Sequence, residues 1–202
     1  MNEVETITAI SLGLGLAAAS GFRVFIPPFL YGLSLRFDFL PISVPMTGIS
    51  DWMASDLGLI VLGAAMLIEI LGYYVPWIDN LLDTIATPSA VLGGILMMSS
   101  TLTDTNPILQ WSLAIIAGGS VSGTVQIGTV ATRAVSTATT GGIANPIVST
   151  IEAGACLLCT ILALLLPIIA LFLVIFIVGY SGKQLKNRWL SSNESKSIQQ
   201  NN

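Results

Sequence analysis

Glu69 is the residue whose setting most invites chemistry. It lies in the apolar run LGLIVLGAAMLIEILGYYV, with Tyr73 one helical turn later. A carboxyl group in such surroundings either pairs with a cation or keeps its proton, and ionisable groups inside apolar spans are functional candidates by default. Arg23 and Arg133 are the cations it could meet, and a proton is the cargo it could carry. Glu152, in NPIVSTIEAG, occupies a comparable place early in the last apolar run. For both acids the plainer reading is an ion pair that holds helices together.

Gln126, Thr129, Arg133, Ser136 and Thr140 recur at spacings of three and four, which puts them on one helical stripe. A charge at mid-bilayer costs about 2.5–3.5 kcal/mol on insertion scales, so a stripe carrying arginine must face a bundle interior, a wet cavity or the interface. The alternative is a hydrogen-bonded seam with Arg133 snorkelling to a headgroup. Arg23 stands in SGFRVFIPPFLYG, where Pro27 and Pro28 free backbone carbonyls and the guanidinium brings five donors. That combination suits an anion or an anionic lipid headgroup, or else an ordinary arginine at a cytoplasmic helix turn. Asn145, before Pro146, joins Arg23, Glu69, Tyr73, Gln126, Thr129, Arg133, Ser136 and Glu152 as a candidate lining of a substrate or ion pathway.

Asp79 and Asp83 share a helical face opposite Ile78, Leu82 and Ile85. They read as solvated acids on an interfacial helix, because calcium's six to eight oxygens are not in sight. Cys156 and Cys159 read as small buried residues, since zinc or redox chemistry needs more ligands or an exposed turn. There is no histidine, phosphate-binding loop, nucleophile elbow or zinc helix. The expectation is a non-enzyme without metal or cofactor.

The elements that must position these residues are apolar. Charged residues make up 9% of the 202, against roughly 25% in soluble domains, and the mean hydropathy is +0.85. Seven Lys/Arg and eleven Asp/Glu cannot coat a soluble surface, so the excess apolar area is expected to face lipid. Four of the seven cations follow the last apolar run, which leaves no basic face for nucleic acid. The start, Met-Asn-Glu-Val-Glu, lacks the basic region of a secretory signal, and no lipidation signature is visible, so the first run is expected to be a retained helix.

An all-α, polytopic bundle of five to seven membrane segments follows, since a crossing takes about 20 helical residues. The candidates cover about 6–21, 22–36, 57–75, 89–102, 108–123, 124–138 and 147–179, the last kinked at Pro167. Segments two, four and six are short enough to be re-entrant half-helices. Small residues at Gly13, Ala17 and Gly21, and at Ala114, Gly118 and Ser122, mark close helix packing. Residues 11–21 resemble 112–123, which suggests three-helix halves at about 6–75 and 108–179, joined by a connector at 76–107. The whole of 1–180 then forms one membrane domain, followed by a polar, disordered tail at 181–202. The positive-inside bias of Lys183, Lys186, Arg188 and Lys196 puts the C-terminus in the cytoplasm, and the loop around Asp38, Asp51 and Asp56 outside.

SGFRVFIPPFLYGLSLRF, the Glu69 helix, VPWIDNLLDTIATP and NPIVSTIE together resemble a bacterial membrane family known as domain of unknown function 4126. The resemblance covers nearly the whole chain except the polar tail. It implies that Arg23, Pro27, Glu69, Asp79, Asp83, Pro88, Asn145, Pro146 and Glu152 occupy motif positions. It also implies a basic residue after the Thr-Pro near 88 and a second acid after Glu152, where this chain has Ser89, Ala90 and Ala153. The family implies a fold and no activity. The leading expectation is a small transporter or channel-like protein of the cytoplasmic membrane. A lipid-headgroup-binding or lipid-translocating protein and a non-transporting scaffold are the alternatives. The partners expected are membrane lipids and a second copy of the chain, not nucleic acid.

Overall fold

The computed structural model describes residues 3–40, 44, 46, 48–103, 105–179 and 183, with the side chains of residues 76, 77, 79, 80 and 83 left out. The tail expected to be disordered, and three of the four cations of the C-terminal cluster, lie outside the described residues.

Helix α1 (Glu3–Ser20) opens on Glu3 and Glu5, whose charges suit the positive end of a helix dipole. It closes in a tight turn in which the Gly21, Phe22 and Arg23 N–H groups bond back to the Ala18 and Ala19 carbonyls. Helix α2 (Ile26–Arg36) starts with Pro27 and Pro28 in its first turn, where no N–H is needed. The proline pair therefore opens a helix instead of breaking one. The short α3 (Ile49–Ala54) leads to α4 (Asp56–Gly72), whose first turn is capped by Ser55 Oγ accepting from the Gly58 N–H at 3.0 Å.

Two of the three suggested half-helices do not exist as such. Helix α5 (Pro76–Thr101) runs unbroken through Pro88, so the acidic linker and the fourth segment are one helix. Segments five and six are likewise one 34-residue helix, Pro107–Thr140. It consists of α6 (Pro107–Leu113), a π-helical turn at Ala114–Gly118, and α7 (Gly119–Thr140). No proline interrupts it, and the single wide turn absorbs Gly118 and Gly119 without ending the ladder. The matching stretches 11–21 and 112–123 thus differ in backbone: the first runs into a turn and the second continues as helix. After Gly141, in the left-handed region at φ 65°, come α8 (Asn145–Leu165) and α9 (Pro167–Gly179); at Pro167 the chain turns back where only a kink was expected, so that Glu152 of α8 and Ile177 of α9 line one cavity.

Helix α1 is the centre of the bundle, buried along most of Thr8–Ser20. Gly13 approaches Thr101 while Gly93 approaches Ser20, so α1 and α5 are antiparallel. Gly15 lies by Ala163 while Arg23 reaches Ser149, so α1 and α8 are antiparallel too. The glycines sit where backbones come closest. A Cβ on Gly118 would lie 2.6 Å from the Gly94 carbonyl oxygen, and one on Gly21 would lie 2.6 Å from that of Ser122. The small-residue stripes are therefore packing surfaces, as the plainer expectation had it. Large aliphatic and aromatic side chains point outward instead, among them Ile60, Ile68, Ile116, Leu158 and Phe172, each about two-thirds exposed. The described residues are all-α or loop, and two helices, Pro107–Thr140 and Asn145–Leu165, are long and apolar enough to cross a bilayer.

Candidate functional site

Four ionisable side chains and one aromatic ring meet at the end of the bundle where α1 turns into α2. The stripe on α7 buries Gln126, Thr129, Arg133 and Ser136, as its spacing requires, while Thr140 lies exposed at the helix end. Arg133 does not snorkel. Its Nε donates to both Glu152 oxygens at 3.2 and 3.1 Å, and its Nη2 donates to Oε2. Glu152 sits on the buried face of α8 and also receives Arg23 Nη2 at 3.3 Å. One carboxylate is thus shared by two guanidinium groups, all three side chains being more than nine-tenths buried. Such a cluster holds only if every charge is answered, because desolvating an ion costs several kcal/mol.

Tyr73 fixes the two cations relative to each other. The Arg23 guanidinium carbon lies 3.7 Å from the ring centroid and that of Arg133 lies 4.2 Å away. A cation–π contact is worth about 0.5–2 kcal/mol, the upper figure when desolvated. Tyr73→Leu is accordingly expected to lower the stability of the purified protein by roughly 1–3 kcal/mol, less than two full contacts because leucine still fills part of the space, and a thermal melt in detergent reads this directly. An unchanged melt would mean that the ring merely fills space.

Glu69 has a different task from the one its sequence suggests. It stands in the last turn of α4, where the helix dipole opposes a negative charge. Its two oxygens accept the N–H groups of Val24 and Phe25, at 2.8 and 3.0 Å, on the approach to α2. A carboxylate from one helix therefore closes the open N-terminal end of another, and in doing so it pins the turn that carries Arg23.

The sequence reading missed Ser149, which accepts from Arg23 Nη2 through its carbonyl (3.0 Å) and its hydroxyl (2.6 Å). It also missed the part played by Cys156, whose thiol donates to the Ala19 carbonyl at 3.2 Å and faces that of Arg23 at 3.8 Å. The second of these lies in the turn before α2, outside its hydrogen-bond ladder. A signal was present. Ser149, Glu152, Cys156 and Thr160 follow a spacing of three and four and form the buried polar stripe of α8. Asn145 hydrogen-bonds Thr137 across the turn between α7 and α8. Asp79 and Asp83 fall in α5, with side chains outside the described residues. Among the described residues no group of three or more His, Cys, Asp or Glu could hold a metal.

Two cavities flank the cluster. One, of about 310 Å³, lies between α7 and α8, with Glu152, Phe22, Thr129 and Ile177 in its wall. The other, of about 220 Å³, lies between α4 and α5, lined by Glu69, Tyr73, Val24, Phe25 and Ser89 among others. Phe22 faces the first cavity and Val24 the second, so Arg23 stands at the partition between them.

The sequence profile of a family described as Domain of unknown function (DUF4126) matches residues 10–183. The chain belongs to this family. The match runs from α1 to beyond α9 and takes in all five members of the cluster. No curated protein and no solved structure matches the chain. The departures expected from the family pattern leave the cluster intact in this member. Ala90 is buried, Ser89 lines the smaller cavity, and Ala153 packs against the apolar group of Ala19, Ile26 and Cys156.

Proposed function

We propose that this family member is a multi-pass protein of the cytoplasmic membrane that conducts or transports a small solute through its charged centre. The observation that carries the proposal is the partition itself: a buried Arg23–Glu152–Arg133 cluster with Tyr73 against both cations, and a cavity on either side. In a protein that only held its helices together, apolar packing at this crossing would avoid the desolvation of three charges. An exterior of large aliphatic side chains over an interior of glycine, serine and threonine supports the membrane setting. Glu152 lies seven residues into α8, about 10 Å from its start, so the cluster would sit nearer the cytoplasmic face if the C-terminal cations lie inside. Each sequence half supplies one arginine and one acid to the cluster, which supports reading the chain as two related halves.

In this reading the Arg23 turn is the moving part. The two N–H bonds to Glu69 hold it shut, and protonation or rotation of that carboxyl would free Val24 and Phe25 between the cavities. Reconstitution in liposomes tests this. Wild-type protein is expected to carry ion or proton flux above empty vesicles, and Glu69→Gln to raise it about tenfold or more, since the amide answers only one of the two N–H groups and holds the turn less firmly. Wild-type flux in Glu69→Gln would remove the gating role. Absence of flux from every small ion tried would favour the scaffold alternative. A lipid-handling role is the second reading, favoured by the cavity between α7 and α8, whose wall includes Val148, Ile151, Ala155 and Ile177.

A further inference from the structure

Hydrogen-bond accounting at the cluster leaves donors over. Arg23 makes its three bonds through Nη2 alone, to the Ser149 carbonyl, the Ser149 hydroxyl and Glu152 Oε2. Its Nε and Nη1 are buried and have no hydrogen-bond partner, on a side chain that is 1% exposed. The neighbouring acceptors are already engaged. Both Glu152 oxygens take Arg133, one of them also Arg23, and both Glu69 oxygens take backbone N–H groups. Tyr73 covers a face of the guanidinium, and a ring face accepts no in-plane hydrogen bond. A second buried polar atom, the Ser136 hydroxyl one turn from Arg133, also lacks a partner. A permanently charged donor set that is buried and short of acceptors is the arrangement that binds an anion.

We infer that Arg23 is the anchor of an anion site, taking one small anionic group, a free halide or oxyanion or the phosphate of a lipid, on one free edge of its guanidinium, at Nε or at Nη1. Each of these nitrogens shares an edge of the guanidinium with Nη2, so an oxyanion or halide can dock in the plane of the group while Tyr73 stays against its face. Arg133, bonded to the same Glu152 oxygen as Arg23, adds a second positive charge. The cluster borders both cavities, Glu152 lining one and Tyr73 and Glu69 the other. The inference names the charge of the substrate for the transport reading, and rests on that reading in taking the cluster for a working centre.

The test uses the full chain in neutral maltoside detergent, equilibrated in sodium gluconate. It is titrated calorimetrically with sodium bromide, sodium nitrate and inorganic phosphate. A parallel native mass spectrum follows extraction from phosphatidylglycerol or phosphatidylcholine vesicles. One saturable site is expected. Arg23→Lys should weaken it about tenfold or more, because lysine keeps the charge and can reach Ser149 and Glu152 but lacks the extra donors. Its melting temperature in gluconate should stay close to wild type, which separates lost binding from lost fold. Binding in the titration arm identifies a free anion. Retention of phosphatidylglycerol alone, lost in Arg23→Lys, identifies a lipid phosphate. A folded wild type that binds no probe, leaving only water at Arg23, overturns the inference, as does Arg23→Lys binding at wild-type strength. Anion binding without any flux would leave this site standing and remove transport. Cation flux without anion binding would do the reverse.

Discussion

Glu152→Gln is expected to destabilise the protein by roughly 3–5 kcal/mol, the cost of leaving buried charge without its partner. The figure is large because one carboxylate answers two cations. The amide keeps the shape but removes the charge, and its NH₂ would point at a guanidinium that can only donate. Unfolding midpoints in detergent would read the loss. Adding Arg133→Gln to Glu152→Gln should recover part of it, since one of the stranded cations goes, whereas two independent surface-like contacts would simply add. A Glu152→Gln melt indistinguishable from wild type would mean that water or an anion already satisfies both arginines. The shared-carboxylate account of the cluster would then be wrong.

The second large effect lies at the crossing of α5 with the π-turn and the start of α7, and it separates two adjacent glycines. Gly94→Ala places its Cβ 2.7 Å from the Gly118 carbonyl oxygen and 2.5 Å from the Ser122 Cβ. A backbone oxygen cannot swing aside, so the helices must part, and overpacking of this kind costs about 1–3 kcal/mol. Gly93→Ala meets only Val24 and Ser20 side-chain atoms at 3.4 Å or more, which is ordinary contact. There alanine's better helix propensity, worth about 0.5–1 kcal/mol over glycine, should leave the melt unchanged or raised. Equal effects at the two positions would show that helix propensity, not helix approach, governs this stretch.

Much of the site was legible because membrane-like sequence makes charge conspicuous. Arg23, Glu69, Tyr73, Arg133 and Glu152 all stood out as ionisable or polar groups in or beside apolar runs, and all five meet. The α7 stripe was readable from its spacing, and the equivalent α8 stripe, with Ser149 and Cys156, was just as periodic but hidden among residues that look inert. Helix continuity was less legible. Pro88 and the glycines at 118, 119 and 123 carry the local marks of breaks, yet α5 and the α6–α7 helix run straight through them. Close packing against α1 and between α5 and α7 holds these helices together, and local propensity has no access to that.

The amino-acid order alone determined the helical class, the outward aliphatic surface, the buried polar stripes and the family, because each rests on composition or on a period within a few turns of one helix. Only the tertiary structure decided who answers whom: Glu152 to both arginines, Glu69 to the Val24 and Phe25 N–H groups ahead of α2, and Arg23 left with donors to spare. Those partners lie 44 to 129 residues apart, except for Arg133 and Glu152 at 19. They meet through the antiparallel register of α1, α5, α7 and α8, and that register is set by which small residues let which backbones touch.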